Sequence, residues 1–213
     1  MRLFLSSYRA GKYDHRLREF LGSVDKVAVI TNAKDYKTLE SRKIRVEENF
    51  EYWRSIGLEP IEIDLRPYFH TPGAEKLLAK HNFIWLAGGN VFLLRRALRY
   101  TGLDKFLGDS VRRNEIILGG ESAGAIIMGP TLKYSDTEED EDSPNYVPDG
   151  YEKEVSWDGL GFINYVPVPH YKTLDYIGID QYVKNLKNDK IPLQTMTDDQ
   201  AIIINGDKEE FLA

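Results

Sequence analysis

Apolar residues along this chain alternate between short continuous runs and stripes with helical spacing. Residues 3–5, 27–30, 83–86 and 116–118 are uninterrupted apolar runs, the mark of strands covered on both faces. Ile61, Ile63 and Leu65 alternate with Glu62 and Asp64, the pattern of a further strand. Between these lie stretches that predict helices over 16–21, 38–56, 74–80, 91–99 and 103–111. In the longest of them Leu39, Val46, Phe50 and Trp53 share one stripe assigned to the core. Further on, 162–168 reads as extended and 177–186 as a helix. Residues 193–196 and 201–204 read as strands separated by a tight turn at Asp198 and Asp199, and Asn205-Gly206 is a second hairpin signal.

Strands alternating with helices through the first 130 residues predict an α/β three-layer sandwich. Its central sheet should be mainly parallel, with a C-terminal β-hairpin. No linker or repeat divides 1–213, so one domain is expected. In such sheets ligand sites form beyond the C-terminal strand edges. Gly88-Gly89-Asn90, Ser122 and His170 all fall at such ends.

Ser122 is the centre of Gly120-Glu121-Ser122-Ala123-Gly124, a G-x-S-x-G pattern between an apolar strand and a helix-like run. This is the arrangement of a nucleophile elbow, where a sharp turn exposes a serine. A Cβ two residues either side of the serine would clash as the strand end folds against the helix start. The Ala123 N–H, at the new helix's start, is a candidate oxyanion donor. The bland alternative is a glycine-rich turn with Ser122 as an N-cap. Gly88-Gly89 also lies between strand and helix, and Gly89 is the candidate second oxyanion donor. Phosphate binding there ranks lower, because the lysine and spacing of a P-loop are missing.

A serine nucleophile needs a base. Of the 4 histidines, His15, His70 and His81 lie in polar stretches, whereas His170 closes the extended run Val166-Pro167-Val168-Pro169. His170 is therefore the candidate base. A carboxylate should orient it. Asp136, Glu138 and Glu139 are the nearest candidates between Ser122 and His170, with Glu121 and Asp158 as outsiders.

Charge and composition narrow the classes. The net charge of −6 has a local source, since 136–142 holds six acids. That acidity argues against a nucleic-acid partner. The run itself is most simply a solvated loop, and its closeness to the elbow makes a lid the sharper reading. No apolar run is long enough to span a membrane. The chain has no Cys, which excludes disulfides and thiolate chemistry. No cofactor or metal is expected, and a cytoplasmic location is the default.

Gly88-Gly89-Asn90, Gly120-Glu-Ser-Ala-Gly-Ala125, Gly129-Pro130 and Pro169-His170-Tyr171 together resemble the peptidase E family of serine peptidases. The resemblance implies a fold like class I glutamine amidotransferases. It also implies Ser122 as nucleophile, His170 as base, and Gly89 and Ala123 as oxyanion donors. An Asp about fifteen residues after the serine completes the triad in that family's aspartyl dipeptidases. Here that count reaches Thr137, flanked by Asp136 and Glu138, so Asp136 is expected as the third member and Glu138 is the alternative. Those enzymes also carry an Arg after the His that suits a substrate aspartate. The matching stretch, Gly178-Ile179-Asp180-Gln181, has none, and an acidic loop would repel an acidic substrate. The resulting expectation is a peptidase acting on short peptides. A non-peptide esterase or amidase, and an inactive binding module that retains the elbow, are the rivals.

Overall fold

The computed structural model describes residues 1–136, 143–173 and 178–213. Its main sheet runs through β1 (Arg2–Ser6), β2 (Lys26–Ile30), β3 (Glu59–Ile63), β4 (Phe83–Leu86), β5 (Ile117–Glu121), β8 (Ala201–Asn205) and β9 (Lys208–Leu212). The spatial order is β3-β2-β4-β5-β1-β8-β9. The first five of these strands pair in parallel, whereas β8 runs antiparallel to β1 and forms a hairpin with β9. The fold is thus α/β with a mainly parallel central sheet and a C-terminal hairpin.

Strand side chains alternate between two apolar layers, as the pleat requires. Leu3, Leu5, Ala28, Ile30, Ile84 and Leu86 face one layer. That layer is covered by α3 (Ala74–Leu78), α4 (Val91–Tyr100), α5 (Leu103–Arg112) and α6 (Ala123–Ile126). Phe4, Val27, Val29, Phe83 and Trp85 face the other, under α1 (Asp14–Leu21) and α2 (Leu39–Ser55). Because both faces are covered, the strands read as continuous apolar runs rather than alternating ones. On the second face Trp53 and Trp85 meet edge to face at 4.9 Å. Gly119 leaves the room for this, since a Cβ there would lie 2.4 Å from the Trp85 ring.

Two expectations need correction. Leu39 is 80% exposed. The buried face of α2 begins instead with Arg42, whose guanidinium binds Asp35, Glu62 and Thr31. The second concerns residues 193–204. There, β7 (Leu193–Thr195) does not pair with β8. It pairs in parallel with β6 (Val166–Val168), in a separate two-stranded sheet, while α7 (Ile179–Asn188) packs beside it. The segment at Asp198 and Asp199 is therefore a connection between two sheets, not a hairpin turn. Among the described residues, no helix is long and apolar enough to cross a membrane.

Candidate active site

Ser122 follows the last residue of β5, with φ 50° and ψ −115°. A non-glycine residue held at positive φ is uncommon, and here close packing enforces it. A Cβ on Gly120 would lie 2.5 Å from the Gly124 carbonyl oxygen, and one on Gly124 would lie 2.0 Å from that of Leu86. Only glycine at both places lets the strand end fold onto α6. The Ser122 N–H donates to the Ser6 carbonyl at the end of β1, which anchors the turn to the neighbouring strand.

His170 arrives from the other sheet. β6 and β7 are parallel, with Val168 opposite Thr195. Parallel strands release their chains at the same edge, so His170 and Asp198 emerge side by side. Backbone bonds from Met196 N–H to the Val168 carbonyl and from Tyr171 N–H to the Met196 carbonyl extend the pairing past both strand ends. The His170 Nε2 then lies 3.0 Å from Ser122 Oγ, and its Nδ1 lies 2.7 Å from Asp198 Oδ1.

A third residue locks this pair. Ser7 Oγ donates to Asp198 Oδ1 at 2.7 Å and accepts the His170 backbone N–H at 2.7 Å. Thr173 Oγ1 donates to the other Asp198 oxygen at 3.0 Å. Burial alone would raise the Asp198 pKa. The Ser7 bond, the charge and hydrogen bond of His170, and the Thr173 bond outweigh it and hold that carboxyl below its ordinary value. His170 is buried, and this lowers its pKa against the opposing pull of Asp198 and Glu121. The imidazole is therefore held toward its neutral form, which can accept a proton.

The expected third acid was Asp136. It is exposed, and it lies close enough to the buried Tyr182 hydroxyl to raise that group's pKa, after the larger effect of burial. The carboxylate at His170 Nδ1 is Asp198 instead. Glu138 and Glu139 lie outside the described residues. Glu121 is buried beside the serine but turns to the loop after β1, accepting from Arg9 N–H at 2.6 Å and Asn49 Nδ2 at 3.0 Å. Asp158 is exposed in a bridge with Thr131. Asp198 obeys the rule that sites gather at the C-terminal ends of parallel strands, but applying that rule requires the β6–β7 pairing, which the sequence pattern does not disclose. It lies three residues past the end of β7, and His170 two past the end of β6. Asp198 lies beyond His170 in chain order, outside the stretch between Ser122 and His170.

Gly88 and Gly89 lie against the elbow, and a Cβ on Gly88 would come within 3.2 Å of the Ser122 Cβ. Gly89 has φ 140°, and a Cβ there would lie 2.2 Å from the Ala33 carbonyl oxygen. Among the described residues, neither the Gly89 nor the Ala123 N–H has an acceptor. The cleft beside Ser122 has a volume of about 260 Å³. The cations Arg9, Lys34, Lys37 and Arg45 line it, against the carboxylates of Glu48 and Glu121. Lys34 Nζ donates to the Gly88 carbonyl at 2.9 Å. Burial lowers its pKa, and the charge of Glu121 opposes that shift. Among the described residues, no group of His, Cys, Asp or Glu is placed to hold a metal ion.

Comparison with known proteins agrees with this architecture. The chain is 27% identical over 206 residues to an uncharacterized peptidase of Pasteurella multocida, covering 97% of this chain and 94% of that one. It is 27% identical over 179 residues to an uncharacterized peptidase of Listeria innocua, covering 80% and 78%. Its fold is similar to that of a Listeria monocytogenes EGD-e protein assigned as a peptidase E, with a TM-score of 0.77 and 24% identity over 99% of this chain and 97% of that one. The family model of peptidase family S51 matches residues 4–212, and the chain therefore belongs to peptidase family S51.

Proposed function

We propose that this peptidase is a serine peptidase that cleaves short peptides through an acyl-enzyme on Ser122. The observation that carries the reading is the continuous chain of contacts from Ser122 Oγ to His170 Nε2 at 3.0 Å and from His170 Nδ1 to Asp198 Oδ1 at 2.7 Å. A nucleophile, its base and an orienting carboxylate in that order are what acyl transfer needs. An inactive module retaining the elbow would not need the two side chains in contact.

In the proposed reaction His170 Nε2 takes the proton from Ser122 Oγ as the oxygen attacks the scissile carbonyl. The Gly89 and Ala123 N–H groups receive the developing oxyanion. As the tetrahedral intermediate collapses, the C–N bond breaks and His170 protonates the leaving amine. Water, deprotonated by His170, then attacks the acyl-enzyme, and His170 returns that proton to Ser122 Oγ as the C–O bond to the serine breaks. Asp198 holds the imidazole with Nδ1–H toward itself and stabilises the imidazolium.

The small volume of the cleft supports a short substrate. Its cationic lining supports one with an acidic group next to the scissile bond, such as an N-terminal Asp. The missing Arg on α7 does not count against this, because the cations come from the loop after β1, the turn after β2 and α2.

The test is hydrolysis of a dipeptide panel varied at the N-terminal residue, with Ser122→Ala as control. Cleavage of Asp-X peptides, reduced by up to about a millionfold in the control, is the expected result. Cleavage confined to neutral or basic N-termini overturns the acidic preference. Undiminished activity in the control overturns the mechanism, and hydrolysis of esters alone favours a non-peptide substrate.

A further inference from the structure

The oxyanion role of Gly89 raises a question of precision. Preorganised donors work because they need not reorient as charge develops. Yet Gly88 and Gly89 have no side chains to hold their shared peptide, and glycine is the most mobile of residues. Something else must fix the plane.

The turn after β2 does so. The Ala33 carbonyl accepts the Asn90 N–H at 2.8 Å, on the far side of Gly89. Lys34 Nζ donates to the Gly88 carbonyl at 2.9 Å, on the near side. Two successive residues thus grip the two flanks of the glycine pair. Among the described residues no peptide bond is cis, and in a trans peptide the C=O of Gly88 and the N–H of Gly89 point in opposite directions. A donor that captures the carbonyl therefore aims the N–H away from itself. Hydrogen bonding at the carbonyl also polarises the amide and strengthens its N–H as a donor.

Lining the cleft does not by itself account for the hydrogen bond that Lys34 makes to the Gly88 carbonyl. Covering a lysine amine is costly unless it gains partners. The nearby Glu121 carboxylate is bonded to Arg9 N–H and Asn49 Nδ2, and the bond made by Lys34 goes to a neutral backbone carbonyl. A structural tether there needs no amine.

We propose that Lys34 is a positioning residue of the oxyanion hole: it holds and polarises the Gly88–Gly89 peptide so that the Gly89 N–H is directed at the substrate oxygen. The inference rests on the serine mechanism proposed above. It predicts an effect on turnover that does not depend on the charge of the substrate.

The experiment compares the full chain with Lys34→Met and Lys34→Gln on the peptides it cleaves. It also measures inhibition by a peptide aldehyde, whose hemiacetal oxygen on Ser122 would occupy the oxyanion position. Reaction of Ser122 with a fluorophosphonate is followed in parallel, and circular dichroism reports folding. Lys34→Met should lower kcat by about ten- to a hundredfold, less than the hundred- to thousandfold cost of losing a donor outright. KM should change little, and aldehyde affinity should fall by a similar factor. Lys34→Gln, which keeps a donor without the charge, should lie between, and it carries the test if Lys34→Met does not fold. An unchanged kcat with a raised KM for acidic peptides alone overturns the proposal and makes Lys34 a substrate contact. A parent chain that neither cleaves peptides nor reacts at Ser122 overturns the serine mechanism, and this inference with it. An active parent with indifferent Lys34 variants overturns the inference alone.

Discussion

His170 Nδ1 lies 2.7 Å from Oδ1 of Asp198, a residue 28 positions further along the chain and on the neighbouring strand's exit. The contact follows from one topological fact, the parallel pairing of β6 with β7. It also separates Asp198 from Asp136 in a way that mutation can read. Asp198→Asn should leave the fold intact but favour the wrong imidazole tautomer, lowering kcat by about ten-thousandfold. Asp136→Asn should leave kcat close to that of the parent. Steady-state kinetics of the two variants decide, and a reversed ranking would return the third position to Asp136.

Ser7 joins the two sides of the site. Its hydroxyl both donates to Asp198 and accepts the buried His170 backbone N–H. Ser7→Ala strands that N–H, which should cost about 1–3 kcal/mol of stability, readable as a lower midpoint in denaturant. It also removes the largest influence lowering the Asp198 pKa. Turnover should therefore fall, though by less than in Asp198→Asn. A variant with unchanged midpoint and turnover would deny Ser7 this role.

The elbow and the fold class were legible because they rest on local rules. Gly120 and Gly124 are dictated by contacts across one turn, and uninterrupted runs such as Phe83–Leu86 mark strands covered on both faces. Asp198 was not legible in that way. Its place depends on β7 pairing with β6 rather than with the next strand in sequence, and a turn with two aspartates carries no mark of such a long-range choice. The cationic cleft was equally hidden. The acidic run dominates the sequence charge, while Arg9, Lys34 and Arg45 are scattered along the chain and meet only in the folded cleft. Leu39 failed for the opposite reason: helical periodicity placed it on a stripe whose inward position belongs to Arg42.

The pH dependence follows from His170. Burial lowers its pKa from the ordinary value near 6.5, and catalysis needs its neutral form. As pH falls, kcat/KM should therefore drop through a midpoint below about 6.5, with the plateau reached by neutrality. The same shift affects stability. The unfolded chain binds this proton more readily than the folded one, so His170's contribution to stability declines as pH falls below the unfolded value. A midpoint above the ordinary histidine value would contradict the buried, neutral imidazole.

Gly89→Ala tests the second oxyanion donor directly. At φ 140° a side chain is strained, and its Cβ would lie 2.2 Å from the Ala33 carbonyl oxygen. The turn must shift and take the N–H with it. The expected loss is about a hundred- to a thousandfold in kcat, with the thermal midpoint recorded to separate local from global damage. Retention of kcat in a folded variant would remove Gly89 from the reaction.

Gly119→Ala probes how the core supports the elbow from below. Gly119 sits in β5, three residues before Ser122, and an added Cβ would lie 2.4 Å and 2.5 Å from two atoms of the Trp85 ring. Trp85 cannot retreat freely, because Trp53 packs against it at 4.9 Å and Phe83 at 6.0 Å. Overpacking of this kind costs about 1–3 kcal/mol, measurable as a shift in denaturant midpoint without a change in slope. Trp85→Leu alone should also destabilise, by leaving a cavity. The two changes relieve one another: with the indole gone, the new methyl occupies vacated space. The double variant should therefore be more stable than the sum of the single losses predicts, with the excess as the coupling energy. Simple additivity would mean that the glycine is required by the strand backbone rather than by the tryptophan it faces.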